Sequence, residues 1–125
     1  MLVDGSYWIG YLRGDDAAVP LRDLIASGAD IYVTDPVIME VLAGAQHASD
    51  YAALRRFIMH QALAPFDPAS DFEGAARAYL TARAQRITPS GQVGCVVVAV
   101  AARTGLPLAT LDSQQRHIAD LVDVR

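Results

Sequence analysis

The chain predicts an α/β fold, a parallel sheet flanked by helices on both faces. Short apolar runs separated by amphipathic stretches are the first sign: Met1-Leu2-Val3, Ile31-Tyr32-Val33 and Leu106 to Thr110 read as buried strands. Helix start and stop signals between those runs are the second, with Asp35-Pro36 opening one helix and Gly28 and Gly105 closing others. Strands separated by helices form a parallel sheet, and right-handed crossovers then bring the strand carboxyl ends to one edge.

Taken in order, the first strand leads into a short helix over Ser6 to Leu12, stopped near Gly14, and a second over Asp16 to Ser27. After Ile31-Tyr32-Val33, Asp35 as cap and Pro36 at the first helical position begin a helix carrying Val37, Ile38, Val41, Leu42 and Ala45. Ser49 to Ala62 is amphipathic, with Leu54, Phe57 and Ile58 on one face and Arg55-Arg56 turned away. Leu63-Ala64-Pro65 fits an edge strand, where proline is tolerated. Ser70 to Arg86 is a long alanine-rich helix, and Thr88-Pro89 is expected to open the next, which runs to about Thr104. Leu106 to Thr110 is a strand, Ser113 to Ala119 a terminal helix, and Leu121 to Val124 a last edge strand.

A chain of 125 residues, 53% hydrophobic, is one domain (1–125) with a core that needs no staple. No apolar run approaches the roughly 20 residues of a membrane span. The lone cysteine, Cys95, lies inside the strongest apolar run and reads as a small core residue in a reducing compartment. With no signal-peptide core at the start, the expected location is the cytoplasm. All ten basic residues are arginine. The absence of lysine excludes a P-loop and Schiff-base chemistry, and it disfavours a phospho-acceptor receiver domain. A net charge of −4 argues weakly against nonspecific nucleic-acid binding but leaves room for local phosphate contacts by arginine.

Three carboxylates stand apart from the solvated ones. Asp4 ends the first strand, Asp112 follows Leu108-Ala109-Thr110-Leu111, and Glu40 sits near the start of an apolar helix. Each has an ordinary reading, as a helix cap for the aspartates and an exposed helical position for the glutamate. Jointly they can converge on one sheet edge, where clustered carboxylates need a cation and an all-oxygen site suits Mg²⁺ or Mn²⁺. Phosphodiester hydrolysis is the usual chemistry of such a site.

The chain resembles the PIN-domain ribonucleases, in particular the VapC-type toxins of bacterial toxin–antitoxin modules, and the resemblance runs through four blocks in order. Val3-Asp4-Gly5-Ser6-Tyr7-Trp8-Ile9 is similar to the opening block, and Val37 to Gly44, around Glu40, to the second. Gly94 to Ala101, leading to Gly105-Leu106-Pro107-Leu108, is similar to the third, and Thr110-Leu111-Asp112 to the fourth. The third block is broken: the family usually carries an aspartate where this chain has Gly94, and no acidic residue lies between Glu73 and Asp112 to replace it. Gly5 stands for the usual Thr or Ser, and Gln114-Gln115 for a common Asp-Phe.

The resemblance implies a PIN-like fold and an endoribonuclease using Mg²⁺ or Mn²⁺. It makes Asp4, Glu40 and Asp112 the catalytic and metal-binding residues, with Gly94 marking the missing ligand, and Ser6 a hydroxyl expected to bond Asp4. Arg13, Arg83, Arg86 and Arg116 are candidate phosphate contacts, although a solvated arginine is the ordinary reading of each. Tyr7 and Trp8 are expected in the core or an interface, and His47, His60 and His117 on the surface.

Gly94 admits three explanations: an inactivating substitution, a natural toxin that has lost cutting, or a site in which the remaining carboxylates suffice. Impaired catalysis on a nuclease framework is the expectation here. The resemblance also implies a VapB-like antitoxin, an RNA substrate and a homodimer, with the partner groove expected near the apolar helices Val37 to Ala45 and Leu54 to Ile58. A non-catalytic PIN-like interaction module and a housekeeping RNA-processing nuclease are the alternatives. An adjacent small antitoxin gene would argue against the second.

Overall fold

The computed structural model describes residues 1–89 and 91–125. Its order is β1 (Leu2–Val3), α1 (Gly5–Arg13), a 3-10 turn (Asp16–Ala18), α2 (Val19–Ala26), β2 (Tyr32–Val33), α3 (Asp35–Ala43) and α4 (Ala48–Met59). There follow β3 (Ala62–Leu63), α5 (Pro68–Ala84), α6 (Gln92–Thr104), β4 (Leu108–Ala109) and α7 (Ser113–Leu121). The strands are short and apolar, so their order is held as much by flanking bonds as by the ladder. Leu2 N donates to Pro107 O at 2.7 Å, and Asp4 N to Ala109 O at 2.9 Å.

The four strands form one parallel sheet in the order β3-β2-β1-β4. The chain therefore steps outward from β1 to β3 and then crosses back to β4. Right-handed crossovers put α1–α4 on one face and α5–α6 on the other. The contacts agree, since α1 packs on α2 and α3, α3 on α4, and α5 and α6 on one another and on α7. One hydrophobic core joins the layers through Leu2, Val3, Trp8, Val33, Val37, Val97, Val98 and Leu108.

α6 is the central element of the second face. Every residue from Cys95 to Ala101 is buried, as expected of a helix that is apolar all round. Burial also pushes the Cys95 thiol up and leaves it unreactive. Trp8 is fully buried, its ring edge-on to Tyr11 and Phe57.

Three expectations at element ends are corrected. α6 begins at Gln92 behind the extended Gly91, not at Thr88-Pro89, and the adjoining Ser90 lies outside the described residues. α5 ends at Ala84, because Arg86 takes a left-handed conformation (φ 59°) that a helix cannot contain. Residues 121–124 form no strand. α7 runs through Leu121, and the tail is held by Leu108 N on Arg125 O at 3.1 Å.

Candidate active site

Parallel strands place the carboxyl ends of β1, β2 and β4 on one edge, and the helices that follow begin there. Asp4 leaves β1 and caps α1, with Oδ2 accepting from Ser6 N at 3.0 Å. Asp112 follows β4 and caps α7, with Oδ1 accepting from Gln114 N at 2.9 Å and Gln115 N at 3.2 Å. Both aspartates thus do what the ordinary reading expected, and they do it at the mouth of one cleft. That cleft has a volume of about 330 Å³ and is lined by Asp4, Ser6, Glu40, Gly94, Asp112 and Gln115, among others.

Glu40 enters from the middle of α3, its sixth residue, rather than from the helix start. Its carboxyl lies over the first residue of α1: a Cβ at Gly5 would come within 2.9 Å of Glu40 Oε1. The glycine at position 5 therefore leaves room for this carboxyl. Oε1 is buried with no hydrogen-bond partner among the described residues. Burial, and then the negative charge of Asp4, pushes the Glu40 carboxyl up to about 7.

Asp4 is 7% exposed and held from several sides. Thr110 Oγ1 donates to Oδ2 at 3.4 Å, and Gln115 Nε2 donates to Oδ1 at 3.1 Å. Ser6 reaches Asp4 through its backbone N–H rather than the expected hydroxyl. The Ser6 hydroxyl lies 3.2 Å from Thr110 Oγ1 and accepts from Leu111 N at 3.0 Å. Thr110 also accepts from Asp112 N at 3.0 Å, so one hydroxyl joins both aspartates. Thr110 belongs to the Thr-x-Asp block, which was the available signal for its role. Gln115 was marked in the sequence only as part of the departing Gln114-Gln115 pair, which gave no role for its amide.

Gly94 lines the cleft in the first turn of α6. A Cβ there would have the Gln115 side chain as its nearest neighbour, at 3.7–3.9 Å, so a Cβ is accommodated at ordinary contact distance. The Gln115 amide now spans this gap, donating also to Gly94 O at 3.1 Å.

The arginines divide. Arg116 is not available to phosphate as expected: its guanidinium donates to Leu108 O at 2.9 Å, to Arg125 O at 2.8 Å and to Val124 O, and pairs with Asp120. It fastens the C-terminal tail to β4. Arg13, Arg83 and Arg86 are exposed and do not line the cleft. His47, His60 and His117 are exposed as expected.

No group of three His, Cys, Asp or Glu side chains among the described residues could hold a metal ion as it stands. The donors that remain are the Asp4 and Glu40 carboxylates and the Asp112 carboxylate at the rim. All are hard oxygens, the chemistry of Mg²⁺ or Mn²⁺ rather than of a soft metal. The orphaned Glu40 Oε1 beside a second carboxylate is an arrangement that a cation would relieve.

The PIN domain family model matches residues 1–121. Among curated proteins, the VapC ribonuclease Mb1587 of Mycobacterium bovis and ribonuclease VapC11 of Mycobacterium tuberculosis are each 31% identical over 128 residues, covering 100% of this chain and 96% of the relative. Among solved structures, FitAcB from Neisseria gonorrhoeae superposes with a TM-score of 0.70 at 20% identity, over 95% of this chain and 92% of that one. FitAB bound to an IR36 DNA fragment gives 0.69 at 18% identity, over 95% and 90%. These structures share the sheet and helix arrangement. With the family model spanning nearly all of the chain and the VapC relatives matching along its full length, the protein belongs to the PIN domain family, among its VapC-type ribonucleases.

Proposed function

We propose that this protein is a VapC-type toxin, an endoribonuclease dependent on Mg²⁺ or Mn²⁺, acting on structured RNA in the cytoplasm and restrained by a VapB-like antitoxin. We further propose that its cutting is weak because Gly94 stands where an aspartate is usual. The observation that carries the reading is one cleft at the carboxyl edge of the sheet that contains Asp4, Glu40 and Asp112. When bound, a divalent cation in this cleft would supply charge neutralisation at the scissile phosphate and a more acidic water.

The chain's own residues have separable tasks in that chemistry. Asp4 presents a carboxylate fixed by Ser6 N, Thr110 and Gln115, so little reorganisation remains when charge develops. Glu40 Oε1, buried without a protein partner among the described residues, can accept a hydrogen bond from the attacking water and so orient it. Asp112 stands at the rim, its position set by the cap of α7. Arg13, Arg83 and Arg86 are exposed and free to meet the RNA backbone outside the cleft.

Two partner surfaces fit the same reading. Met39, Tyr51, Met59 and Leu63 are exposed apolar residues on α3, α4 and β3, and we assign the homodimer contact to them. We assign the antitoxin segment to an apolar groove lined by Phe72, Tyr79, Val93 and Val96, which shares Gln92, Val93 and Cys95 with the acidic cleft, whereas the sequence reading put it near α3 and α4. An antitoxin segment lying there would block entry to the cleft. No helix among the described residues is long and apolar enough to cross a membrane.

One observation favours the non-catalytic reading instead, namely the Gln115 amide bonded to Asp4 where a metal would also bind. Incubation with structured RNAs decides between them. The nuclease reading expects slow cleavage with Mn²⁺ that disappears with chelator and in Asp4→Asn. No cleavage by the parent or by Gly94→Asp would leave the interaction module.

A further inference from the structure

We infer that Gln115 is a positioning residue that clamps Asp4 and competes with a divalent cation for its Oδ1. Gln115 is 4% exposed, on the first turn of α7, with its side chain reaching across the cleft. Nε2 lies between two acceptors, Asp4 Oδ1 at 3.1 Å and Gly94 O at 3.1 Å, so both of its hydrogens are used. The reverse amide orientation would set an oxygen against both acceptors, which fixes the assignment.

The clamp depends on Gly94. A Cβ at 94 would lie in ordinary contact with this amide, 3.7 Å from Nε2, so Gln115 is the side chain that a substituent at 94 meets first. A glycine at 94 and an amide at 115 thus act on the same part of the site. A negative ligand is absent, and a neutral donor satisfies the carboxylate it would have faced. The amide also carries a cost, since its own Oε1 is buried without a partner. The bond to the charged Asp4 is what holds it there.

Thermodynamic linkage follows. In the metal-free protein the clamp stabilises a nearly buried carboxylate that otherwise has one unpaired oxygen. A cation on Oδ1 must displace or share that bond, so the clamp weakens cation binding by about what it contributes to the apo fold. Removing the clamp should destabilise the metal-free protein and tighten cation binding. A residue that merely fills space would do the first without the second.

This inference rests on the reading of the cleft as a cation site, and the experiment separates the two. Mn²⁺ binding and thermal unfolding are measured for the full chain, Gln115→Leu and the isosteric Gln115→Glu, with Asp4→Asn as the blank. The expected result is Mn²⁺ affinity raised about tenfold in Gln115→Leu, the size of one charge-assisted hydrogen bond, and raised further in Gln115→Glu, which also adds a carboxylate. The melting temperature of Gln115→Leu should fall in chelator and recover toward the parent at saturating Mn²⁺. In the parent, the Gln115 side-chain amide resonances should move on Mg²⁺ addition. If the parent binds Mn²⁺ and Gln115→Leu binds it no more tightly, the clamp is overturned while the cation site stands. Should the parent bind no more Mn²⁺ than Asp4→Asn, both are overturned.

Discussion

The side-chain amide of Gln115 meets the carboxylate of Asp4 at 3.1 Å, tying the first turn of α7 to the end of β1. The two residues are 111 positions apart, and the bond closes the cleft at its base. It makes Asp4 a carboxylate with a protein donor on each oxygen, Ser6 N on one and Gln115 Nε2 on the other.

That pairing predicts an unusual response to Asp4→Asn. An asparagine has one acceptor oxygen, so its NH₂ must face either the Ser6 N–H or the Gln115 amide. We expect the variant to lose about 1 kcal/mol of stability in chelator, despite the relief of charge repulsion with Glu40. It should also lose Mn²⁺-induced stabilisation. Denaturant unfolding with and without Mn²⁺ measures both.

Glu40 predicts the pH dependence of the metal-free protein. Its folded carboxyl is raised from 4.5 to about 7, so between these values the folded state binds more protons than the unfolded one. Its contribution is fully present below about pH 4.5 and is lost as pH rises through about 7. The melting temperature in chelator should therefore drop by a few degrees, on the order of ~2–5 °C, between pH 5 and pH 8. Glu40→Gln should flatten that slope, and saturating Mg²⁺ in the parent should reduce it.

Asp71 and Arg103 predict the opposite sign, away from the cleft. Asp71 is 1% exposed and accepts from Arg103 Nε and from Asp67 N, each at 2.8 Å. Burial alone would raise its carboxyl, but the bond from Arg103, the bond from the Asp67 backbone and the Arg103 charge together hold it below its ordinary value. The pair's stability is present above the ordinary carboxylate range and is lost as pH falls through the depressed value. Arg103→Ala should cost about 2 kcal/mol at pH 7, because it leaves a buried carboxylate short of a partner. Mn²⁺ affinity should not change, a result that urea unfolding and ion titration check together.

Much of this fold was legible in the sequence, for identifiable reasons. β1 and β4 are apolar runs that end in acidic residues, and α6 is apolar all round, so periodicity and burial pointed the same way. The misread ends were governed by tertiary context. Residues 121–124 pair with nothing as a strand because Arg116 captures the tail carbonyls. At the site, Asp4 and Asp112 announced themselves as strand-end acids, and both cap helices at the mouth of one cleft. Gln115 showed in the sequence only as a departure from the resembling block, and a glutamine after a cap gives no sign of a bond to Asp4. Its meaning comes from Gly94, 21 residues earlier and across the cleft.

The most direct test of the account is the rate of RNA cleavage by Gly94→Asp against the parent in Mn²⁺, with Gly94→Asp combined with Gln115→Leu beside them. A carboxylate at 94 should restore a hard oxygen ligand at a position where only Gln115 is in the way. We expect Gly94→Asp to cut at least about tenfold faster than the parent, corresponding to ~1.4 kcal/mol of transition-state stabilisation. The double variant should be faster still, and Asp4→Asn should abolish cleavage in either background. Equal rates for the parent and both variants across several structured RNAs would contradict the assignment of this cleft as a weakened nuclease site.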